Sequence, residues 1–330
     1  MSHLENILEH LRGNMLDTIF VVPEWDMTKY EVKRTKEYSN RWLKLLRLDR
    51  FITWKTVELP SVYREKVTVD FFIPREDRIR KPVKIVVVFQ ILGGTDIVSR
   101  IFAHYFAYKG YPSIVVHRSK ELFKLKFITD TGINLDLETT LKELNENIKN
   151  VGIIHRQAID FALWYLPEES DLRQVDTEGV YAIGVSLGGI TLSGISAVEE
   201  KIEKVLIALA GGDVADVLTS SKENSVKRNI DRLCKHYKIS RDDLKAELRK
   251  HLTYGNSKML YTQGAKMGYI PSWKYRMFVT LFDRDVPTRT QHQLRRLLNC
   301  KTLYLPTGHY TAVIFFPFIL WYTRRFFERA

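Results

Sequence analysis

Three residues far apart in the chain could together activate a hydroxyl for attack on a carbonyl carbon. Gly184-Val185-Ser186-Leu187-Gly188 has the G-x-S-x-G pattern in which a sharp turn lifts a serine off the end of a strand. A serine hydroxyl is a weak nucleophile until a base takes its proton. His309, directly after Gly308 in "LYLPTGHYT", follows a strand-like run near the C-terminus and suits that base. The imidazole must in turn be held in one tautomer by an acid. Asp283 in "LFDRDVP" is the first choice, with Asp285 beside it and Asp213 in "ALAGGD" as alternatives. Asp285 also suits a cap for the helix that follows.

Such a reaction develops negative charge on the carbonyl oxygen, which backbone N–H groups must hold. The residue after the nucleophile, Leu187, is one candidate donor. The loop "FQILGGTD" offers the second, either Leu92 or its neighbour Ile91, with Gly93 and Gly94 allowing close approach. The other histidines stand in less suggestive places. His236, His251 and His292 lie in charged helical stretches, His104 and His155 on amphipathic ones, and His117 at a strand end where it could line the site.

The G-x-S-x-G pattern is weak alone, and its context carries the weight. "VYAIG" before it reads as a strand, and "GGITLSGISAVEE" after it as a helix. The same alternation recurs along the chain. "FITWKTVEL", "KVTVDFFIP", "KIVVVFQ", "YPSIVVHR", "KVLIALAGGD", "RMFVTLFDRD" and "KTLYLPTGH" are further strand candidates. With helical spacing between most of them, they predict a parallel sheet covered on both faces. Residues 1–50 read as a helical extension, with Leu4, Ile7, Leu8 and Leu11 on one face and Tyr38, Trp42, Leu45 and Leu46 on another. From about 217 to 274 no strand appears. Two amphipathic helices, "SVKRNIDRLCKHY" and "SRDDLKAELRKHL", predict a helical cap, the second opened by a Ser240–Asp243 capping pair. The core is then 51–216 and 275–330. "KMLYTQGAKMGYIPSW", from Lys258 to Trp273, is expected to line the pocket.

Composition sets outer bounds. The 330 residues are 45% hydrophobic and 27% charged, enough to bury a full core. Cys234 and Cys300 supply neither a disulfide framework nor metal-ligand spacing, in keeping with a cytoplasmic location and no bound metal. The net charge of +12 is spread out without a recognition motif, which argues against nucleic acid. "AVIFFPFILWY" is too short to span a bilayer and reads as a buried terminal helix with an interfacial edge.

The ordered pieces "ILGGTD", "GVSLGG", "DRDVP" and "PTGHYT" together resemble the α/β-hydrolase superfamily over residues 51–330. Within it the chain is similar to esterase-like members related to dienelactone hydrolases and acetyl esterases. The resemblance implies a mostly parallel sheet of about eight strands with helices on both faces and a cap after the sixth strand. It also implies a Ser–His–Asp triad on Ser186, His309 and Asp283, acting on a small-molecule ester with no cofactor. One departure is that the usual His-Gly dipeptide before the oxyanion loop is Gln90-Ile91 here. Two other functions are carried beside this one. The first is a lipase working in peripheral contact with a membrane surface, suggested by basic and aromatic helices around Trp42 and "LWYTRRFF". The second is a non-catalytic binding protein on the same fold.

Overall fold

The computed structural model of the chain describes residues 22–37, 51–60, 67–79, 82–90, 97–117, 134–169, 172, 174–254 and 271–329. The helical faces expected at 4–11 and 38–46 lie outside these residues. So do Ile91, Leu92, Gly93, Gly94 and residues 258–270 of the stretch 258–273 expected to line the pocket.

The strands of a single sheet are β1 (Glu31–Glu37), β2 (Ile52–Leu59), β3 (Val67–Pro74), β4 (Val83–Phe89), β5 (Ser113–His117), β6 (Val175–Val185), β7 (Ile202–Ala208), β8 (Tyr275–Thr280) and β9 (Lys301–Leu305). Their order is β1-β2-β3-β5-β4-β6-β7-β8-β9. The pairs from β5 through β9 are parallel, whereas β1, β2 and β3 extend the sheet antiparallel at one edge. β4 reads "VKIVVVF" and all but Lys84 is buried, because helices cover both faces of this central strand.

One expectation is corrected here. Residues 31–37, assigned to a helical extension, form strand β1, which brings the mostly parallel sheet to nine strands. The sequence "EVKRTKE" carries no apolar alternation because β1 is an edge strand that faces solvent. Val32 is exposed there, and Lys33 is paired with Glu31 and with Glu58 of β2. Charge of this kind on an edge strand discourages pairing with another chain.

Among the described residues eight α-helices accompany the sheet. They are α1 (Ile97–Tyr108), α2 (Leu137–Glu169), α3 (Leu187–Ser196), α4 (Val214–Ser220), α5 (Asn224–Tyr237), α6 (Arg241–His251), α7 (Thr288–Leu298) and α8 (Phe316–Glu328). No helix of the described residues is long and apolar enough to cross a membrane.

Apolar burial divides into two clusters. The larger one surrounds the sheet. The smaller joins Leu141 and Leu144 of α2 to Ala215, Ile230, Leu233, Leu244 and Leu248 of α4, α5 and α6. At about 1.5–3 kcal/mol for each fully buried leucine or isoleucine, this second core suffices to seat the helices over the sheet edge. α6 starts on a full capping box between Ser240 and Asp243, and the Glu223 carboxylate caps α5 by accepting from Val226 N at 2.7 Å.

An ionic tie reinforces the seating. The buried Asp216 carboxylate of α4 takes hydrogen bonds from Arg289 of α7 at 2.9 and 3.0 Å, and from Lys245 of α6. The Arg289 hydrogen bonds, then those of Lys245, hold the Asp216 carboxyl well below the usual carboxylate range although burial opposes them.

β4 has β5 on one side and β6 on the other, so the order of strands reverses at this point. In an open parallel sheet the crevice beyond the carboxyl ends of such strands is where ligands bind.

Candidate active site

Ser186 stands at the carboxyl end of β6 and at the N-cap of α3 with φ 54° and ψ −125°. A non-glycine residue in that region costs on the order of 1–3 kcal/mol and persists only when its surroundings hold it there. Two backbone bonds do so, Ser186 N to Ala208 O at 2.8 Å and Ile190 N to Ser186 O at 3.0 Å. Close packing does the rest. A β-carbon at Gly184 would lie 2.6 Å from the Gly188 carbonyl oxygen, and one at Gly188 would strike the Phe89 carbonyl oxygen of β4. Strand and helix can therefore approach only through glycine at both positions. The N–H groups of the first turn of α3, that of Leu187 among them, have no intrahelical acceptor. They form the positive end of the helix dipole.

His309 and Asp283 meet from two different strand ends. His309 follows β9 and opens a 3-10 turn over Tyr310–Phe315, while Asp283 follows β8. The imidazole Nδ1 lies 2.8 Å from Asp283 Oδ2. The Asp283 side chain is wholly buried and that of His309 is 14% exposed, so the outer nitrogen of the ring remains within reach of a ligand.

Asp283 is saturated with donors. Oδ2 also accepts from Thr280 Oγ1 at 2.9 Å and from Gln291 Nε2 at 3.0 Å. Oδ1 accepts from the backbone N–H groups of Asp285 and Val286, each at 2.9 Å. Burial alone would push this carboxyl up. The hydrogen bond and charge of His309, with the Val286 N–H and the Thr280 hydroxyl, outweigh it and hold the group below the ordinary value. The result is a fixed carboxylate aimed at one imidazole nitrogen.

The two alternative acids fare differently. Asp213 is the N-cap of α4, accepting from Asp216 N, and its carboxylate is taken by Arg249 at 2.7 and 3.0 Å. Its hydrogen bonds thus go to the cap and not to the imidazole. Asp285 stays close, since one donor atom each of Asp283, Asp285 and His309 lie within 4.8 Å of one another. Its carboxyl is raised, chiefly by burial, with the charges of Asp283 and Glu223 adding to it against the pull of His309. A cation could span such a trio, but the oxygens of Asp283 already hold the donors named above. His117 joins Asp70 at 2.8 Å instead of lining the site. His155 stacks on Phe89 with 4.2 Å between centroids and bonds Val151 O.

Ser186 and His309 line one cavity of about 650 Å³. Ser186 and the ring share this cavity without a hydrogen bond between them. Leu187, Asp285 and Tyr310 share the lining, together with aliphatic side chains of α2, α4, α5 and α6.

Gln291 and Thr280 were not anticipated from sequence. Gln291 Nε2 reaches Asp283 Oδ2, Thr280 Oγ1 and Val286 O, while its Oε1 accepts from Thr280 N at 3.1 Å. Glutamine in the first turn of a charged helix carries no local signal of that role. Only its wholly buried position, on an otherwise amphipathic helix, sets it apart.

No family model and no curated protein matches the chain. Solved structures do match. The acetyl xylan esterase from Paenibacillus sp. R4 superposes with a TM-score of 0.61 at 12% identity, over 99% of this chain and 94% of that one. Acetyl xylan esterase 1 from Thermoanaerobacterium sp. JW/SL YS485 gives 0.55 at 13% identity, over 94% and 92% of the two chains. The Pyrococcus horikoshii acylaminoacyl peptidase gives 0.57 at 11% identity, over 89% of this chain but 44% of its own. With the sheet order and the serine turn at the end of β6, these likenesses define the class of structure. The chain has the α/β-hydrolase fold.

Proposed function

We propose that the protein is a serine hydrolase that cleaves carboxylic esters. Ser186 Oγ attacks the ester carbonyl carbon while the outer nitrogen of His309 takes the hydroxyl proton. Asp283 stabilises the imidazolium that forms and keeps the ring oriented. The Leu187 N–H holds the tetrahedral oxyanion, together with a second donor assigned to Leu92 or Ile91. Each such donor is worth on the order of 3 kcal/mol of barrier. The C–O bond to the alcohol then breaks, and His309 returns its proton to the leaving oxygen. A water, deprotonated by the same imidazole, attacks the acyl-serine and releases the acid. These steps need no metal or organic cofactor.

One observation carries the reading: a buried Asp283–His309 pair opens on the same cavity as a serine in a strained turn. Ser186→Ala is expected to abolish p-nitrophenyl butyrate turnover and fluorophosphonate labelling while leaving the thermal melt nearly unchanged. Turnover equal to that of the parent would end the assignment.

A second reading, hydrolysis at a lipid surface, is favoured by an exposed stripe beginning next to His309. Tyr310, Val313, Ile314, Phe318 and Trp321 follow at helical spacing along the 3-10 turn and α8, each more than a third exposed. Exposed Arg325 continues the same row. Aromatic residues with a flanking cation are the composition of an interfacial helix, and the net charge of +12 suits an anionic surface. Co-sedimentation with phosphatidylserine-containing vesicles at low salt tests this reading, and Trp321→Ser should weaken it. Failure to bind at low salt removes it.

A further inference from the structure

The cavity at Ser186 has two chemically different ends. Its polar lining comes from Asp285, Ser221, Glu223 and Ser225, alongside His309, with Asn229 of α5 the one polar residue further along that helix. Ser221 and Glu223 belong to the linker between α4 and α5, which is tied to the Asp285 loop through Lys222 N to Arg284 O at 3.0 Å. A second part of the lining belongs to the helices over the sheet. Leu144 and Ile148 of α2 face Val226, Ile230 and Leu233 of α5, with Leu248 of α6 behind them. These are members or close neighbours of the second apolar cluster, so the cavity penetrates the cap's own core.

An acetyl group would leave most of this space empty. About 650 Å³ is available, against about 30 Å³ for a water-sized group. A chain that fills only half of it would carry about ten carbons, a methylene being close to water in size. Nor is water a good occupant, because aliphatic walls give it too few partners.

The chemistry decides which half of the ester enters. His309 must protonate the leaving oxygen, so the alcohol departs on the histidine side, where the polar lining lies. The acyl half is left for the aliphatic end. Resting on the hydrolase reading, we propose that the protein is selective for esters of medium-length acyl chains, about eight to twelve carbons. The chain would be held between α2 and the cap helices α5 and α6.

The test is a p-nitrophenyl ester series from acetate to dodecanoate on the full chain, run with fluorophosphonate labelling of Ser186. kcat/KM is expected to rise about fourfold for each added methylene, up to about ten carbons, the free energy of burying a CH₂. Ile148→Trp and Val226→Trp, both at partly exposed positions on the cavity wall, fill the aliphatic end. Each is expected to lower the decanoate-to-acetate ratio of kcat/KM by about tenfold or more, the effect of losing a few buried methylenes. As an independent readout, decanoic acid should raise the melting temperature of the parent protein and acetic acid should not.

If Ser186 is labelled but acetate is the best substrate, the acyl assignment falls and the hydrolase reading survives. Tryptophan variants that remain folded with an unchanged chain-length profile overturn the placement of the chain. A folded protein that the probe does not label overturns both.

Discussion

Replacing Asp283 with asparagine separates the charge of this side chain from its shape. The amide oxygen can still accept from the Asp285 and Val286 N–H groups, both at 2.9 Å. Its NH₂ must then take the place of Oδ2. There it faces His309 Nδ1 at 2.8 Å, Thr280 Oγ1 at 2.9 Å and Gln291 Nε2 at 3.0 Å. The Thr280 hydroxyl can turn and accept, and Gln291 keeps Val286 O at 2.8 Å. The imidazole has one way to avoid two opposed donors, which is to move its proton to the outer nitrogen. In the proposed mechanism that nitrogen would then present a hydrogen, not a lone pair, to Ser186, and the serine would lose its base.

The stability loss is expected to be about 1–2 kcal/mol, because most of the buried partners are rearranged and not orphaned. The loss of kcat should be far larger, on the order of 10⁴, the size known for this substitution in serine proteases with the same three groups. That ratio corresponds to about 5.5 kcal/mol of barrier. Steady-state hydrolysis of a p-nitrophenyl ester, with a thermal melt on the same sample, reads both quantities. Asp285→Asn serves as the comparison and is expected to cost less than about tenfold, since Asp285 makes no hydrogen bond to the imidazole. An Asp283→Asn variant within tenfold of the parent, or an Asp285→Asn loss exceeding it, would refute this division of roles.

Other perturbations test the scaffold. Gly188→Ala drives a β-carbon into the Phe89 carbonyl, and should destabilise by about 2–3 kcal/mol or more while lowering activity in any folded fraction. A parent-like urea midpoint would show that the turn has slack. Asp216→Asn removes the carboxylate shared by Arg289 and Lys245. Arg289 is largely exposed, so the expected cost is about 2 kcal/mol, at the low end for a buried ion pair, and it should shrink in high salt. Equal midpoints for variant and parent would count against the tie between α4, α6 and α7.

Lys274 gives a pH test. Burial pulls it down to about 8 from 10.5, against the charges of Glu199 and Glu203. The native state therefore holds fewer protons than the unfolded one between those values, so this group makes stability rise with pH across that window. Lys274→Met is expected to flatten the rise between pH 8 and pH 10 in urea melts, and an unchanged slope would contradict it. Asp283 has the same sign in an acidic window. Its lowered carboxyl contributes stability that is complete above the usual carboxylate value of 3.8 and is lost as pH falls through the lower folded value. The Asp283→Asn chain should therefore lose less of its stability in acid than the parent does.

Local pattern made most of the sheet readable. "KIVVVFQ" became β4, buried on both faces, because a run without polar residues can be satisfied only between two covering layers. "GVYAIGVS" became the end of β6, and the serine took the strained conformation that its flanking glycines permit. The capping pair at Ser240 and Asp243 formed as written, since capping depends on residues three apart in the same chain. β1 was not readable. It is an edge strand whose polar sequence has no apolar face to display, and its partner lies across a connection of more than a dozen residues.

The amino-acid order by itself determined which segments could be strands or helices, and which side chains had the chemistry of nucleophile, base and acid. Periodicity, capping and turn strain act over a few residues, and those distances are short enough to be written locally. Choosing among Asp283, Asp285 and Asp213 for the imidazole was beyond it, because all three follow strands that end on the same side of the sheet. Tertiary structure separated them. Asp213 was drawn away by Arg249, while Gln291, Thr280 and two backbone N–H groups fixed Asp283 against His309. The depth of the cavity was decided at the same level. It lies where the N-terminal half of α2 packs against helices distant along the chain, Leu144 with Ile230 and Leu248 among its lining residues.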